Sequence, residues 1–383
     1  MTILVLGGVT PAAAAAASQG ALFTWGSSVS GEGGHNNTTS YSSPVQVGTD
    51  ETWTEVGSGY KCTVAIKSNN TAWAWGNGYA GQLGHGNTTT ISSPVQIGGL
   101  SDWAQIVSGS GMTIAIKTDN TLWSWGDGAN GKGGRGDTVD VSSPVQVGAL
   151  SDWSKVACGN YFALAIKTDG TLWGFGTNGA GQLGGGTTIN RSSPVQVGAL
   201  TTWSDVACQG NTTIALKTDG TLWAWGENGK GQLAQGDTVD QSSPVQIGGL
   251  STWTGIAIVG SGTYGSVFGV AGGKLYSWGS GYAGKTGHNN TTDYSSPVQV
   301  GALTDWATSA FIGIKDTGAT NTMFLLNESG NLFGLGRNNT GSLGNGNAGG
   351  PTNYSSPVQI GSDANWLRAT INQATGSAGI RAL

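Results

Sequence analysis

One heptapeptide occurs seven times along the chain, at intervals of fifty residues or slightly more. It is Ser-Ser-Pro-Val-Gln, then valine or isoleucine, then glycine, and its prolines are Pro44, Pro94, Pro144, Pro194, Pro244, Pro297 and Pro357. A tryptophan follows each proline nine residues later, from Trp53 to Trp366. Self-similarity at such a period is typical of repeat architectures, in which each unit buries its apolar face against the next. The chain is therefore predicted to contain seven equivalent units.

Each unit has the pattern of four short β-strands. In one of them, Thr213–Lys217 and Thr221–Trp225 flank Asp219-Gly220, which predicts a β-hairpin with a type I′ turn. The segment beginning at Trp203 and the Val-Gln-Val after the proline supply two more strands. No stretch shows a sustained helical period, and glycine accounts for 69 of 383 residues. These features predict an all-β fold, a seven-bladed β-propeller of four-stranded blades.

The two ends of the chain indicate how the ring closes. The last unit ends at Leu383, before its returning strand, and the missing segment is found at the other end, where 20–26 match 220–226. We therefore expect the N-terminal strand to complete the C-terminal blade, which removes the exposed sheet edges. This divides the chain into residues 1–18 and a propeller of residues 19–383.

Residues 1–18 carry no charged side chain. Ile3, Leu4, Val5 and Leu6 form an apolar, β-prone run that lacks the positively charged start of a signal peptide and is too short to span a membrane. We expect this segment to be a docking arm that pairs with a partner chain or lies along its own ring.

Four motifs recur in the same order and carry a family resemblance. They are Leu-Trp-x-Trp-Gly, then Gly-Gln-Leu-Gly (Gly81–Gly84 and Gly181–Gly184), then Ser-Pro-Val, then Val-Ala-Cys-Gly (Val156–Gly159). This pattern resembles the repeat of the regulator of chromosome condensation family, and the resemblance implies a seven-bladed propeller. It implies no single activity, because similar rings serve as nucleotide exchange factors, chromatin binders, a plant photoreceptor and secreted β-lactamase inhibitors.

Motifs that suggest catalysis or a cofactor are explained by the repeat. Three Gly-x-Gly-x-x-Gly sequences begin at Gly76, Gly126 and Gly279, but none is followed by the helix that a dinucleotide site needs. No nucleophile is accompanied by a base. The sequence therefore predicts a protein that is not an enzyme and that has no cofactor.

Metal binding is not predicted either. His35, His85 and His288 occupy the same repeat position in different blades, so they are spread around the ring and cannot converge on one ion. Asp137 and Asp140 lie in a turn-like loop that offers fewer oxygens than calcium requires. Nucleic acid is excluded as a general partner by the formal net charge of −5.

Two sets of residues are candidates for partner binding. The first ends the same strand in five blades and would form a basic ring on one face: Lys67, Lys117, Lys167, Lys217 and Arg381. The alternative is a solubilising strand end that Asp119, Asp169 and Asp219 partly neutralise. The second set is the insertions at Val259–Gly265, Lys315–Asn321 and Asn345–Asn353, with Lys315 and Asp316 as candidate contacts. Neutral loop drift is the alternative there.

Two functions remain open from the sequence. The first is a structural or adhesive disc that its N-terminal arm anchors to a larger assembly, such as a phage virion or a cell surface. Its partners would be proteins of that assembly, with a surface receptor or glycan as a further candidate, and it would lie on a virion or extracellular surface without inserting into a membrane. The alternative is a free regulatory or inhibitory module that binds proteins through one propeller face.

Overall fold

Seven antiparallel sheets, called blades 1 to 7 here, make up the fold. The computed structural model describes residues 19–260, 262–306, 322–338, 341–347, 353–371 and 376–382. Blade 1 contains β3 (Trp53–Gly59), β4 (Cys62–Lys67), β5 (Ala72–Gly76) and β6 (Ile91–Gln96). Blade 2 contains β7 (Trp103–Ser108), β8 (Met112–Lys117), β9 (Leu122–Gly126) and β10 (Val141–Gln146). Blade 3 contains β11 (Trp153–Cys158), β12 (Phe162–Lys167), β13 (Leu172–Gly176) and β14 (Arg191–Gln196).

The remaining blades follow the same order. Blade 4 contains β15 (Trp203–Gln209), β16 (Thr212–Lys217), β17 (Leu222–Gly226) and β18 (Gln241–Gln246). Blade 5 contains β19 (Trp253–Val259), β20 (Ser266–Ala271), β21 (Lys274–Gly279) and β22 (Tyr294–Gln299). Blade 6 has three strands among the described residues: β23 (Thr322–Leu326), β24 (Asn331–Arg337) and β25 (Asn353–Ala364). Blade 7 contains β26 (Trp366–Ile371), β27 (Gly376–Arg381), β1 (Ala21–Gly26) and β2 (Tyr41–Gln46). Short 3-10 helices lie at Ala129–Gly131, Gly262–Tyr264 and Tyr282–Gly284.

Blade 7 confirms the predicted ring closure. Its order is β2-β1-β27-β26, so two strands from the start of the chain complete a sheet that the end of the chain begins. Leu22 pairs with Ile380 and Thr24 with Ala378, and the residues of β1 are all buried. The predicted fold, a seven-bladed propeller closed by its N-terminal strand, is therefore correct.

The order of strands within a blade determines which strand lies nearest the centre of the ring and which loops share a face. The first strand of a blade packs against the first and second strands of the preceding blade, as β7 of blade 2 does against β3 and β4 of blade 1, so first strands are innermost. Because strands alternate in direction, the loops joining first to second and third to fourth strands share one face, called the loop face here. The second-to-third strand turns and the connections between blades share the other, the turn face.

The heptapeptide forms the outermost strand. In blade 4 this is β18, which pairs with β17 through a register irregularity between Ala224 and Gly226, and it is only partly buried. Proline has no amide hydrogen to donate, so an outer edge strand tolerates it and is protected by it from pairing with another chain. The most conspicuous motif of the sequence is thus explained by edge protection.

Neighbouring blades are joined by a repeated hydrogen-bonded contact, called the latch here. In blade 4, the indole Nε1 of Trp225 and the hydroxyl of Thr213 both donate to the carbonyl oxygen of Gln182 in blade 3, each at 2.9 Å. A Cβ at Gly184 would lie 2.7 Å from Trp225 Nε1, and φ there is +76°, so glycine is favoured. Blade 4 carries Ala234 at the equivalent position, with φ +56°, and its latch to Trp278 is still formed. The ring closes with the same contact, since Trp25 donates to the Ser342 carbonyl at 3.0 Å.

The hairpin prediction was correct but its turn type was wrong. Gly220 has φ +77°, whereas Asp219 is not among the residues with positive φ, and a type I′ turn needs positive φ at both. The Gly220 amide donates to the Lys217 carbonyl at 3.0 Å, and Leu216 pairs with Leu222. Asp219 instead accepts hydrogen bonds from the amide and the hydroxyl of Thr221, as aspartate commonly does in turns.

Several predicted features lie outside the described residues. They include the whole predicted arm, 1–18, with Ile3, Leu4, Val5 and Leu6, and the insertion 315–321, with Lys315 and Asp316. Their roles as partner contacts therefore stay predictions. In the part of the chain that is described, no helix has the length and apolar character needed to cross a bilayer.

Candidate functional site

The predicted basic ring lies on the turn face, but its side chains are packed into the blades. The Nζ atoms of Lys67, Lys117, Lys167 and Lys217 lie 3.6 to 4.4 Å from the ring centroids of Trp73, Trp123, Trp173 and Trp223. In each of these blades the tryptophan that begins the first strand also lies beside the lysine. The Trp203 ring centroid, for example, is 5.1 Å from the Lys217 Nζ. Arg381 lies over Phe23 and Trp366 in the same way. Such cation–π contacts stabilise the blade.

The carboxylates paired with this ring differ from those that the sequence indicated. Lys67, Lys117 and Lys167 form ion pairs with Asp50, Asp102 and Asp152, at 2.7, 3.2 and 3.3 Å. These aspartates precede the innermost tryptophan of each blade by one to three residues. The hydroxyl and amide of Thr121 are the main cause that lowers the pKa of Asp119, and Lys117 contributes less. Much of the positive charge of the ring is therefore balanced within its own blades.

The loop face carries a set of exposed tyrosines. Tyr60 and Tyr161 lie between first and second strands, Tyr79 and Tyr282 between third and fourth strands, and Tyr264 in the insertion 259–265. Their exposed fractions range from 37% at Tyr60 to 54% at Tyr79. Tyrosine is enriched at protein interfaces because its rigid ring offers apolar area and its hydroxyl offers a hydrogen bond. These five tyrosines make the loop face the stronger candidate binding surface.

Three of the tyrosines belong to one charged cluster on blades 1 to 3. Burial, followed by the charge of Asp127, raises the pKa of the Tyr79 hydroxyl, with smaller effects from Tyr161 and Tyr60. Asp127 accepts a hydrogen bond from Lys132 at 2.5 Å, and the Lys132 Nζ lies 5.0 Å from the Tyr161 ring. The cluster therefore presents aromatic rings around a neutralised ion pair.

The other two tyrosines form a second cluster on blade 5. The rings of Tyr264 and Tyr282 have centroids 5.5 Å apart. Lys230 lies 5.8 Å from the Tyr264 ring and forms an ion pair with Asp293 at 3.1 Å. The insertion that the sequence predicted as a contact segment, Val259–Gly265, therefore lies on the same face as the first cluster. Of the insertion 345–353, only residues 345–347 and 353 are described: 345–347 lie between β24 and β25, and Asn353 begins β25.

The turn face carries exposed leucines rather than exposed tyrosines. Exposed leucines recur there at one repeat position, Leu100, Leu150, Leu200, Leu250 and Leu303. They are identical from blade to blade, whereas the tyrosines occupy several different repeat positions. In repeat proteins the departures from the repeat carry specificity, because the common residues are needed for the fold.

The three histidines are held inside their own blades. His35 and His288 lie 2.7 and 2.8 Å from the hydroxyls of Thr24 and Ser277, and His85 lies 3.2 Å from the Val95 carbonyl. Burial lowers the pKa of all three below the ordinary imidazole value. Among the described residues no three histidine, cysteine or acidic side chains come together as metal ligands would.

These histidines make the stability of the ring sensitive to mild acid. Below the ordinary pKa of 6.5, the unfolded chain binds protons that the folded chain still excludes, so the free energy of unfolding should fall as the pH falls. The stability that comes from keeping these imidazoles neutral is fully present above that pKa. We expect thermal denaturation between neutral pH and about pH 5 to show a falling Tm in this window. The triple variant H35Q/H85Q/H288Q introduces the residue found naturally at Gln235, the same repeat position, and should show a flatter profile. A triple variant whose Tm falls with pH as steeply as that of the wild type would contradict the assignment of this effect to the histidines.

Sequence reasoning did not identify the tyrosines. The period analysis sorts residues by repeat position, and tyrosines scattered over several positions leave no periodic signal. Only the alternation of strand direction, which brings two different kinds of loop to one face, shows that they share a surface. The insertion at 259–265 was the single signal that pointed to it.

Solved structures similar to this chain cover nearly all of it. Human WBSCR16 matches with a TM-score of 0.80 at 20% identity, over 95% of this chain and 99% of that protein. Prp20p of Saccharomyces cerevisiae, described together with its binding properties to Gsp1p and histones, matches with a TM-score of 0.79 at 18% identity, over 95% and 92%. Yeast RCC1 (Prp20) with Kap60 bound matches with a TM-score of 0.77 at 18% identity, over 95% and 90%. These likenesses establish the fold. No curated protein matches the sequence.

Family models account for most of the chain and correct the predicted location. Residues 7–267 match the RCC1-like domain, and residues 272–316 match the regulator of chromosome condensation repeat. These matches contradict the prediction of a virion or extracellular surface: residues 7–267 match the RCC1-like domain, and Prp20p, which has the same fold, is described with its binding to Gsp1p and histones. The first match alone covers more than half of the sequence, so the chain belongs to the RCC1-like domain family.

Proposed function

We propose that this chain is a non-enzymatic regulatory module that binds a protein partner through its loop face. Of the two functions that the sequence left open, this one agrees with the family, whereas the family models and the three solved structures named above give no support for a displayed or adhesive disc. Prp20p has the same fold, and its solved structures concern binding to Gsp1p, histones and Kap60. The predicted absence of catalysis accords with a family of regulators and exchange factors.

The observation that carries the proposal is the grouping of exposed tyrosines on one face. Five of the nine tyrosines in the sequence are exposed on the loop face, although the surface elsewhere is rich in glycine, serine and threonine. The two clusters lie on blades 1 to 3 and on blade 5, which suits a partner that spans a large part of the disc. Aromatic anchors surrounded by small polar residues are the usual arrangement of energetic hot spots.

The proposal predicts opposite results for matched changes on the two faces. The double variant Y79A/Y161A should weaken partner binding by roughly thirtyfold or more, corresponding to the loss of about 2 kcal/mol that a hot-spot tyrosine contributes. The double variant L150A/L200A alters the turn face by a similar loss of apolar area and should bind as the wild type does. Both pairs are exposed, so both variants should fold.

The measurement is quantitative affinity capture from an extract of the native organism, followed by titration of the captured partner against each purified variant. If the partner no longer binds Y79A/Y161A but still binds L150A/L200A, the result supports binding through the loop face. A partner that only L150A/L200A loses would refute the proposal and assign binding to the turn face.

A further inference from the structure

Residues of blades 3 and 4 line a surface opening, called the rim cavity here, at a repeat position that carries a side chain in the other blades. A groove of about 340 Å³ is lined there by Gly185, Gln196, Trp203, Trp223 and Pro244, among others. A smaller cavity of about 60 Å³ adjoins it, since Gly185 and Gln196 line both. None of the tyrosines of the two clusters lines either cavity, so the openings are a separate feature.

The opening exists because residue 185 is glycine. The other repeats have a polar side chain at this position, namely His35, His85, Arg135, Gln235, His288 and Asn345. Gln235, for example, donates to the carbonyls of Leu233 and Gln246, both at 3.0 Å. A Cβ at Gly185 would meet nothing within 4 Å, and Gly185 is not among the positive-φ residues. The backbone therefore does not require glycine at this position, and a side chain would fit.

A cation with no carboxylate partner among the described residues lines the smaller cavity. Arg191 begins β14 and contributes to the wall of the smaller cavity, where it is partly buried. Its counterparts in the other blades are uncharged: Tyr41, Ile91, Val141, Gln241, Tyr294 and Tyr354. Within the described ranges, no hydrogen bond or ion pair involves its guanidinium, whereas Arg135 pairs with Asp137 and Arg381 with Asp363. A partly desolvated guanidinium gains most from a carboxylate that accepts two parallel hydrogen bonds.

A second cation borders the larger groove. Lys217 lies over Trp223, 3.6 Å from its centroid, and Trp223 is part of the groove wall. The equivalent lysines of blades 1 to 3 form ion pairs with Asp50, Asp102 and Asp152. Blade 4 has Thr202 where blades 2 and 3 have Asp102 and Asp152, and Lys217 forms no ion pair within the part of the chain that the structure describes. The two adjoining openings therefore combine apolar walls with Arg191, which lines the smaller cavity, and Lys217, which lies over the Trp223 of the groove wall. Neither cation forms an ion pair among the described residues, although the charge of Asp219 acts on Lys217.

We propose that this rim cavity binds a small organic carboxylate with an aromatic or aliphatic body. The carboxylate would be held by Arg191, with the Gln196 amide as a further donor, and the apolar body would lie in the groove against Trp223 and Pro244. Lys217 would add a favourable potential at the mouth. The volume of the larger groove is within the range of small-molecule sites. None of the clustered tyrosines contributes to the site, so it adds a ligand to the proposed function rather than restating it.

The test is a 19F NMR titration of the full chain with 4-fluorophenylacetate, and with its neutral analogue 4-fluorophenylacetamide as the matched control. We expect saturable binding of the acid at millimolar concentration, and at least roughly tenfold weaker binding of the amide, since a hydrogen bond to a charged group is lost. R191Q, which introduces the residue found naturally at Gln241, should weaken binding of the acid by a similar factor. G185H, which introduces the residue found at His85, should abolish binding by filling the opening. R337Q, on the exposed loop face, should have no effect.

The folding of each variant is checked by its Tm, and both substitutions introduce residues that other blades of this ring already carry at the same positions. Equal binding of acid and amide, full affinity in R191Q, or unchanged binding in G185H would each overturn the proposal. Absence of saturable binding to the wild type would overturn it as well.

Discussion

A chain that lacks residues 1–26 is expected to lose the cooperative unfolding of the wild type, with a Tm lower by roughly 10 °C or more. The deletion removes β1, which pairs with both β2 and β27 and whose Leu22, Phe23 and Trp25 are buried. Burying each such side chain contributes about 1.5 to 3 kcal/mol. The ring would also open, because β2 and β27 would become exposed edges and the latch from Trp25 to Ser342 would be lost.

The control for this deletion is a chain that lacks only residues 1–18, which removes none of the strands described above. Its Tm should stay within a few degrees of the wild type, as measured by circular dichroism and calorimetry under the same conditions. Equal losses in the two truncations, or no loss in the longer one, would show that β1 is not the closing strand.

The second large effect is expected at the latch between blades 3 and 4. Trp225→Ala should lower the free energy of unfolding by about 3 to 5 kcal/mol, because Trp225 is fully buried and its removal leaves a cavity. It also removes the indole donor to the Gln182 carbonyl, although Thr213 still donates to that oxygen. The measurement is denaturant unfolding with a fitted m-value.

The matched control is Trp225→Phe, which introduces the residue that blade 3 carries at Phe175. The lost hydrogen bond should cost only about 1 kcal/mol, since its acceptor keeps a second donor, and the smaller aromatic ring still fills most of the space. If alanine and phenylalanine were equally tolerated, the latch would be a geometric coincidence rather than a stabilising contact between blades.

The sequence was sufficient to predict the ring because the fold itself is periodic. The prolines, the tryptophans and the glycine of the latch each serve one repeated contact, so their spacing reports the blade count. The closing strand was predictable because 20–26 repeat a segment that the last unit lacks. Edge protection, inter-blade packing and the hairpin positions follow from the same pattern.

Contacts between non-equivalent positions were not predictable from the period. The ion pairs of the lysine ring involve Asp50, Asp102 and Asp152, which are distant in sequence from the lysines but adjacent across the first two strands. Asp119 and Asp169 are nearer in sequence, but they bond the threonine two residues later. The tyrosine face depends on strand direction, and the rim cavity depends on how two blades meet around Gly185. Each of these requires three-dimensional geometry.

The location error has a different origin. A polar surface of low charge and an uncharged segment at the start of the chain suggested a protein displayed on an assembly. These properties describe the composition of the surface, and they do not identify the partner that meets it. The match of residues 7–267 to the RCC1-like domain is the finding that overturns the predicted location.

Site-specific photo-cross-linking shows directly whether a partner docks on the loop face. A photoreactive phenylalanine analogue is placed at Tyr79 or Tyr282 on the loop face, and at Leu150 or Leu250 on the turn face, in the presence of the captured partner. All four positions are exposed, so reactivity alone does not favour either face. The account predicts covalent adducts with the partner from Tyr79 and Tyr282 and none from the two leucines. Adducts only from Leu150 and Leu250 would contradict it.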